Sequence, residues 1–485
     1  MKKLCLFVAL ALTFTACGCQ KKENTEIDNS QTPTLKWYVP GSVQNDMEAV
    51  MEAANALIEP KIGAKLDIQM IDGGAFTEKM NLNMASGDEF DLTFTGYVNP
   101  YKQAVDNDGL YPLTELIDKN APKLKEALPQ YVFDMAKQKN EIYAIPNQQI
   151  MAVSIALCVK KDLAQKYNLD VSSINGVADI EPFLEKVKNG ETAVYPFESG
   201  KGSLTLMLKK NSIENFKDGI FSGIYAYEQE DGSIKVMHEA ETDLFKETAA
   251  KLNEWYQKGY IRKDVASINS VVEDRTAGKY AVFCTIYKPG LEAEIKSAYN
   301  YDVVAIPVSP AFLSNSSGMT TLTGIGRKSK NPVQAVKLIE LMNTDKDVYN
   351  TICWGIEGKH YTKTGDNRIE LMENSGYSQN AAWKFGNVFN SYLLNDQADD
   401  VWEQTKNMNE NSEKSKLLGF QTDAAKKFRV EATQLESVMS EYHSRALAGA
   451  ESMDNYYDNY IKALKNAGLD TVKEAVEKEI NEYLK

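Results

Sequence analysis

Between Phe76 and Met84 the apolar positions Phe76, Met80 and Met84 recur four apart, the spacing of one helical face. Ser86-Gly87 ends that helix, because glycine accepts the left-handed conformation of a C-terminal cap. Phe90, Leu92 and Phe94 then alternate with Asp91 and Thr93, the period of a short strand. Thr95-Gly96-Tyr97 follows where the strand stops. Tyr97 is therefore expected at the carboxyl end of a sheet, the edge where open α/β sheets bind ligands. The preceding residues repeat the order. Leu35 to Val39 reads as a strand ending at Pro40-Gly41-Ser42. Met47, Val50, Met51, Ala54 and Ile58 share a helical face behind Asp46, a candidate cap, and Leu66 to Met70 alternates as a second strand. Strand, helix, strand, helix, strand predicts a βαβ sheet, with Pro40–Ser42 and Tyr97 on one edge.

Further along, Tyr143 to Pro146 is a strand ending in proline, and Ala152 to Val159 is a continuous apolar run, hence a buried strand. Lys160 to Val304 reads as a second α/β unit. It has short helices at Asp162 to Tyr167 and Ile180 to Lys188. Its amphipathic helix Phe245 to Lys258 stacks Phe245, Ala249, Leu252 and Tyr256 and stops at Gly259. Tyr280 to Ile286 is a strand, Val303 to Pro307 an extended return, and Met319 to Ile325 a further strand. Asn331-Pro332 opens a helix to Met342, proline being suited to a first helical position. After Asn395 the pattern turns to long helices, among them Phe428 to Tyr442 and Thr471 to Tyr483, with Val472, Val476 and Ile480 four apart.

Ser86-Gly87-Asp88-x-x-Asp91-Leu92-x-Phe94 resembles the helix-to-strand motif of the family 1 extracellular solute-binding proteins of ABC transporters, the sugar-binding group. Tyr143-Ala144-Ile145-Pro146 and Gly278-Lys279-Tyr280-Ala281-Val282 fall, in order, where that family has two further motifs. Trp354 to Tyr361, Phe385-Gly386-Asn387 and Leu418-Gly419-Phe420 are similar to the long C-terminal extension, of unknown function, in a lipoprotein subgroup. The resemblance implies an α/β, two-lobed periplasmic-binding-protein-like (type II) fold with a hinge and a helical C-terminal extension. It divides the chain into a leader (1–17), a disordered tether (18–34), lobe 1 (35–147 and 308–365), lobe 2 (148–307) and an extension packed on the lobes (366–485). It places Asn147-Gln148-Gln149 at the first crossing between lobes. It puts Tyr287, just after a strand, where relatives often carry a stacking aromatic. The ligand-facing candidates are Tyr38, Tyr97, Gln148, Tyr287, Trp354, Glu357, Trp383 and Asn387. Sugars present apolar C–H faces and a rim of hydroxyls, which flat aromatics, amides and carboxylates can match.

Charge narrows the ligand. The formal net charge of −14 disfavours nucleic acid and anionic membrane faces, and it favours a neutral ligand unless a local basic pocket overrides it. Met1-Lys2-Lys3 followed by the apolar run Leu4 to Thr15 has the length of a signal-peptide core, too short to span a bilayer. Thr15-Ala16-Cys17 resembles a lipobox, so Cys17 is the expected acylation site, with Cys19 the second candidate and Phe14 standing where leucine is commoner. The protein is then expected on the extracellular face of the cell membrane, held by its lipid alone. It is expected to be a monomer whose partners are a small carbohydrate and the permease subunits. Cys158, Cys284 and Cys353 sit in apolar settings and read as buried free thiols.

Chemistry is sparse. His238, His360 and His443 are isolated, without triad or ligand spacing, so neither a metal nor a cofactor is expected. Ser199-Gly200-Lys201-Gly202-Ser203 lacks the full phosphate-loop spacing. Asp88 and Asp91 resemble a hydrolytic carboxylate pair but flank a strand start, which favours solvated or structural roles. The expectation is a binding protein, not an enzyme. Its function is capture of a sugar or oligosaccharide for an ABC importer. Peptide binding, ligand presentation to a membrane sensor and glycoside hydrolysis are the alternatives.

Overall fold

The computed structural model describes residues 32–138, 140–200, 212–215, 223–268, 270–378 and 381–485. Cys17, Cys19, the leader, the tether up to residue 31 and the Lys201–Ser203 part of the glycine-rich segment lie outside the described residues.

The first lobe is built on five strands in the order Lys65–Ile71, Thr34–Pro40, Leu92–Gly96, Thr321–Ile325 and Ala144–Pro146. The first three run parallel, as the strand–helix alternation requires. Thr321–Ile325 runs antiparallel to both neighbours. The reason is topological. A chain returning from the other lobe enters the sheet at the edge from which it left. Leu92–Gly96 occupies the middle and buries its first four residues on both faces, so its apolar alternation begins one step earlier, at Phe90. The helix Met47–Ile62 buries Val50, Met51, Ala54 and Ile58 of the expected stripe and adds Ile62, while Met47 at its start is only half-buried. Asp46 stands at its N-cap without capping it. Its carboxylate instead meets His360 Nε2 at 3.2 Å and Lys359 Nζ at 2.6 Å, tying the loop after the first strand to the turn at Ile356–His360.

The second lobe centres on Val303–Pro307, Ser154–Lys160, Tyr280–Tyr287 and Tyr195–Phe197, in that order. Ser154–Lys160 is buried on both faces except at Lys160, as its unbroken apolar run demands. Cys158, Cys284 and Cys353 are free and buried, and burial holds all three thiols well above their ordinary pKa.

The region read as one helical extension is used in two places. Ile369, Tyr377, Ala382, Phe385 and Val388 pack into the first lobe's core. The helices Arg429–Ala448, Tyr457–Asn466 and Leu469–Tyr483 instead share a core with the strands Ile224–Glu228 and Ile234–His238 and the helix Asp243–Gln257 of the second lobe.

Two histidines that look isolated in sequence meet at this seam. His443 Nε2 lies 3.1 Å from the buried Glu239 carboxylate. His238 is fully buried beside Tyr460, and its Nδ1 accepts the Ala240 N–H at 3.1 Å, which leaves the ring proton on Nε2. Burial lowers its pKa to about 4. Glu239 and Glu241 act against the shift, and His443 and Lys473 add to it. A base whose folded pKa lies below its unfolded value of roughly 6.5 stabilises the fold fully above that pH and loses its contribution as pH falls toward 4. The urea midpoint is therefore expected to decline across this window, by the equivalent of about 3 kcal/mol. His238→Asn, whose side-chain oxygen can still accept the Ala240 N–H, should flatten the decline. A variant with the same pH profile as the parent would assign the loss to other groups.

Candidate functional site

The three parallel strands of the first lobe end at Ile71, Pro40 and Gly96, and Pro146 leaves the sheet at the same edge, opposite Leu322. In the second lobe Tyr287 lies opposite Ser154, and Pro307 opposite Ala156. The crossings run from Pro146 to Ser154 and from Pro307 to Thr321. The two edges that carry Tyr97 and Tyr287 are therefore the edges to which the crossings attach.

Tyr97 is held in the open by its loop. Gly96 has φ +139°, and a side chain there would come within 2.1 Å of the Thr320 carbonyl, so only glycine fits. The Tyr97 N–H donates to that same carbonyl at 2.9 Å. Buried Asn99, at φ +54°, closes the turn. Its amide Nδ2 donates to the Phe94 carbonyl at 2.9 Å, and its N–H donates to Thr77 Oγ1 at 3.0 Å. The tyrosine ring is left 56% exposed, edge-on to Phe94 at 5.5 Å and tilted against Trp383 at 5.9 Å. Tyr38, half-buried, meets Phe90 edge-on at 5.9 Å. Phe76, Met80, Phe90 and Phe94 back this surface from within, and Tyr38 and Trp383 pack against them. The result is an aromatic shelf of Tyr38, Tyr97 and Trp383 on an apolar foundation. Partial burial pushes the Tyr97 phenol above its ordinary pKa, so its hydroxyl stays a neutral donor.

Four sequence-derived candidates do not join the shelf. Trp354 is in the first lobe's core, with its indole N–H donating to Ser391 Oγ at 3.0 Å. Glu357 is exposed on a turn and pairs with Lys363 at 3.0 Å. Gln148 and Asn387 are buried and work inside the protein. The Gln148 N–H donates to the Gly386 carbonyl at 2.6 Å, and the Val388 N–H donates to the Gln148 carbonyl at 2.9 Å. Asn147 adds a bond from Nδ2 to the Lys384 carbonyl at 2.8 Å. These links fasten the segment that carries Trp383 to the start of the first crossing. Tyr287 is half-buried at the end of its strand, against the Phe283 and Leu291 cluster of the second lobe.

The hinge has a fastener that no pattern in the sequence marks. Asn409, in the helix Val401–Asn411, accepts the N–H groups of Met151 and Ala152 on Oδ1 at 2.8 and 3.0 Å. Its Nδ2 donates to the Gln149 carbonyl at 2.6 Å. The two crossings pair with each other through Val153 and Phe312, and Ser415 bonds the Leu313 carbonyl at 2.8 Å. A third passage of the chain, after Asn395, thus runs beside the other two.

The two carboxylates at the strand start differ in their settings. Asp91 is buried and accepts the Lys36 N–H at 3.0 Å and the Ser329 hydroxyl at 2.6 Å, whereas Asp88 is exposed. Among the described residues no three His, Cys, Asp or Glu side chains form a metal-binding group, and no helix is long and apolar enough to cross a membrane. The arrangement can stack a flat, partly apolar guest and donate hydrogen bonds to its rim.

Residues 416–485 match the model of a domain of unknown function, DUF3502. The chain is 27% identical over 499 residues to a carbohydrate ABC transporter substrate-binding protein of Streptococcus pneumoniae serotype 4 (strain ATCC BAA-334 / TIGR4), covering 99% of this chain and 96% of the relative. The fold is that of the N-glycan transport solute binding protein NgtS from Streptococcus pneumoniae, with a TM-score of 0.80 at 24% identity over 93% of this chain and 99% of that one. Against NgtS in complex with Man1GlcNAc the TM-score is 0.69 at 25% identity, again over 93% and 99% of the two chains. A solute-binding protein from Bifidobacterium longum infantis, described as binding HMO and associated with an ABC transporter, gives a TM-score of 0.67 at 16% identity over 94% and 99%.

Proposed function

We propose that this chain, whose sequence relative is a carbohydrate ABC transporter substrate-binding protein and whose fold is that of the two-lobed solute receptors, captures a sugar or oligosaccharide between its lobes for import. The observation that carries this reading is the exposed Tyr97 with Trp383 and Tyr38 beside it, at the sheet edge where the crossings attach. A large exposed aromatic costs solvation unless a partner covers it, and sugar C–H faces are natural partners. Tyr287, on the corresponding edge of the second lobe, supplies the opposing contact. Gln148 pairs with the backbone on either side of Asn387, four residues beyond Trp383, and so steadies the segment that carries that ring. Contact with both lobes is what favours a closed state.

Delivery is to the permease subunits of an ABC importer, with the protein anchored outside the cell through an acylated Cys17. The division into leader, tether, two lobes and C-terminal extension belongs to the same proposal, with the segment around Trp383 serving the first lobe. The test is a thermal-shift screen of the purified chain over neutral glycans and peptides, because a ligand bound only by the folded state raises the melting temperature. Stabilisation by at least one oligosaccharide, growing with its concentration, is expected. Stabilisation by peptides alone would reassign the ligand class.

A further inference from the structure

We infer that the glycan site, if the carbohydrate reading holds, is built for a saccharide that carries a carboxylate, and that Lys384 is the residue that reads it. Lys384 is 7% exposed, and it is the sole lysine or arginine in the buried set among the described residues. Its ammonium donates to the Pro40 carbonyl at 2.7 Å, at the very end of the first strand. It lies 5.8 Å from the centre of the Trp383 ring, which itself touches Tyr97. The charge thus sits at the foot of the aromatic shelf, at the ligand-binding edge of the sheet.

What sets this cation apart is that it has no counter-ion among the described residues. Arg275, mostly buried, is held bidentate by Glu198 at 2.6 and 2.7 Å. Arg262 pairs with Asp264 and Asp274, and Lys473 with Glu241. Lys384 has no carboxylate partner among the described residues, and the Pro40 carbonyl and the Trp383 face are its compensation. An ammonium has three protons to donate and loses heavily on burial when its charge is unmatched. A fold that needed only a tie to Pro40 could use a neutral donor. In a chain of net charge −14, an unmatched buried cation beside the guest surface is the local exception that overrides general repulsion of anions. Burial lowers the Lys384 pKa, and an incoming carboxylate would reverse that shift.

The test uses matched probes on the full chain: trigalacturonate and sialyllactose, each as free acid and as methyl ester, by titration calorimetry at low and high salt. The expected result is at least about tenfold tighter binding of one acid than of its ester, with the gap shrinking at high salt. Lys384→Met should abolish the preference and Lys384→Arg retain it, each melting near the parent without ligand. If Lys384→Met does not fold, the acid–ester gap of the parent and its salt dependence decide alone. Equal binding of acid and ester, or a preference that survives in folded Lys384→Met, overturns the assignment while leaving neutral-sugar capture standing. No response to any saccharide, charged or neutral, overturns both.

Discussion

Replacing Tyr97 by alanine is expected to weaken glycan binding by about ten- to a hundredfold while leaving the melting temperature of the free protein nearly unchanged. The two halves of that result have one cause. The ring is 56% exposed and contacts the protein through Phe94 and Trp383, so its removal costs the fold little. Against a sugar the same face loses a stacked partner, worth roughly 1–3 kcal/mol in such a setting. Trp383→Ala should lower affinity by a similar factor but also cost stability, because that ring packs on the Phe76–Phe94 cluster. The rings touch at 5.9 Å, so the double variant should fall short of the product of the single effects. Calorimetric titration of the best glycan from the screen gives all three values. A Tyr97→Ala protein that binds within twofold of the parent would remove the shelf from the binding surface.

Asn409→Ala carries the largest expected penalty on the hinge. It deprives the buried N–H groups of Met151 and Ala152 of their acceptor and the Gln149 carbonyl of a donor. Each orphaned buried group costs about 1–3 kcal/mol, so a loss of roughly 3–5 kcal/mol is expected unless water enters. The damage should be local before it is global. Hydrogen exchange is expected to rise first in residues 147–153 and 308–320 and in the helix Val401–Asn411, with the two sheets still protected. Asn409→Asp tests the geometry. The neutral acid offers an acceptor oxygen to both N–H groups and an O–H donor to the Gln149 carbonyl, so it should lose less than alanine below its pKa and forfeit part of that gain once ionised. Uniform exchange across both lobes would show that Asn409 is an ordinary core residue and not the tie between crossings.

The first lobe was legible because its signals are local. The four-residue spacing of Phe76, Met80 and Met84, the cap at Gly87 and the alternation through Phe94 each lie within a few residues and reflect which face meets the core. Tyr97 could be placed for the same reason, since a parallel strand in such a sheet ends at the ligand edge. Trp354, Gln148 and Asn387 are candidates only by position in a resemblance, and composition cannot distinguish a tryptophan on a surface from one bonded to Ser391 in a core. Glu357 failed to reach the shelf because its turn points to solvent and to Lys363. Asp46 has the right residue type for a cap, yet a partner more than three hundred residues away claims its carboxylate.

The two-lobed plan is what the family resemblance implies. Local pattern alone settles which segments are strands or helices, where they stop, and that Tyr97 follows a strand at the ligand edge of its sheet. Those are consequences of periodicity and cap chemistry, which act over one or two turns of chain. The folded chain is needed to see which aromatics share a surface, that Trp383 arrives beside Tyr97 from nearly three hundred residues downstream, and that Asn409 fastens the crossings. Only it left Lys384 buried without a matching carboxylate among the described residues and brought His238 and His443 to one seam. Such pairings depend on distances between segments remote along the chain, and no periodic pattern encodes them.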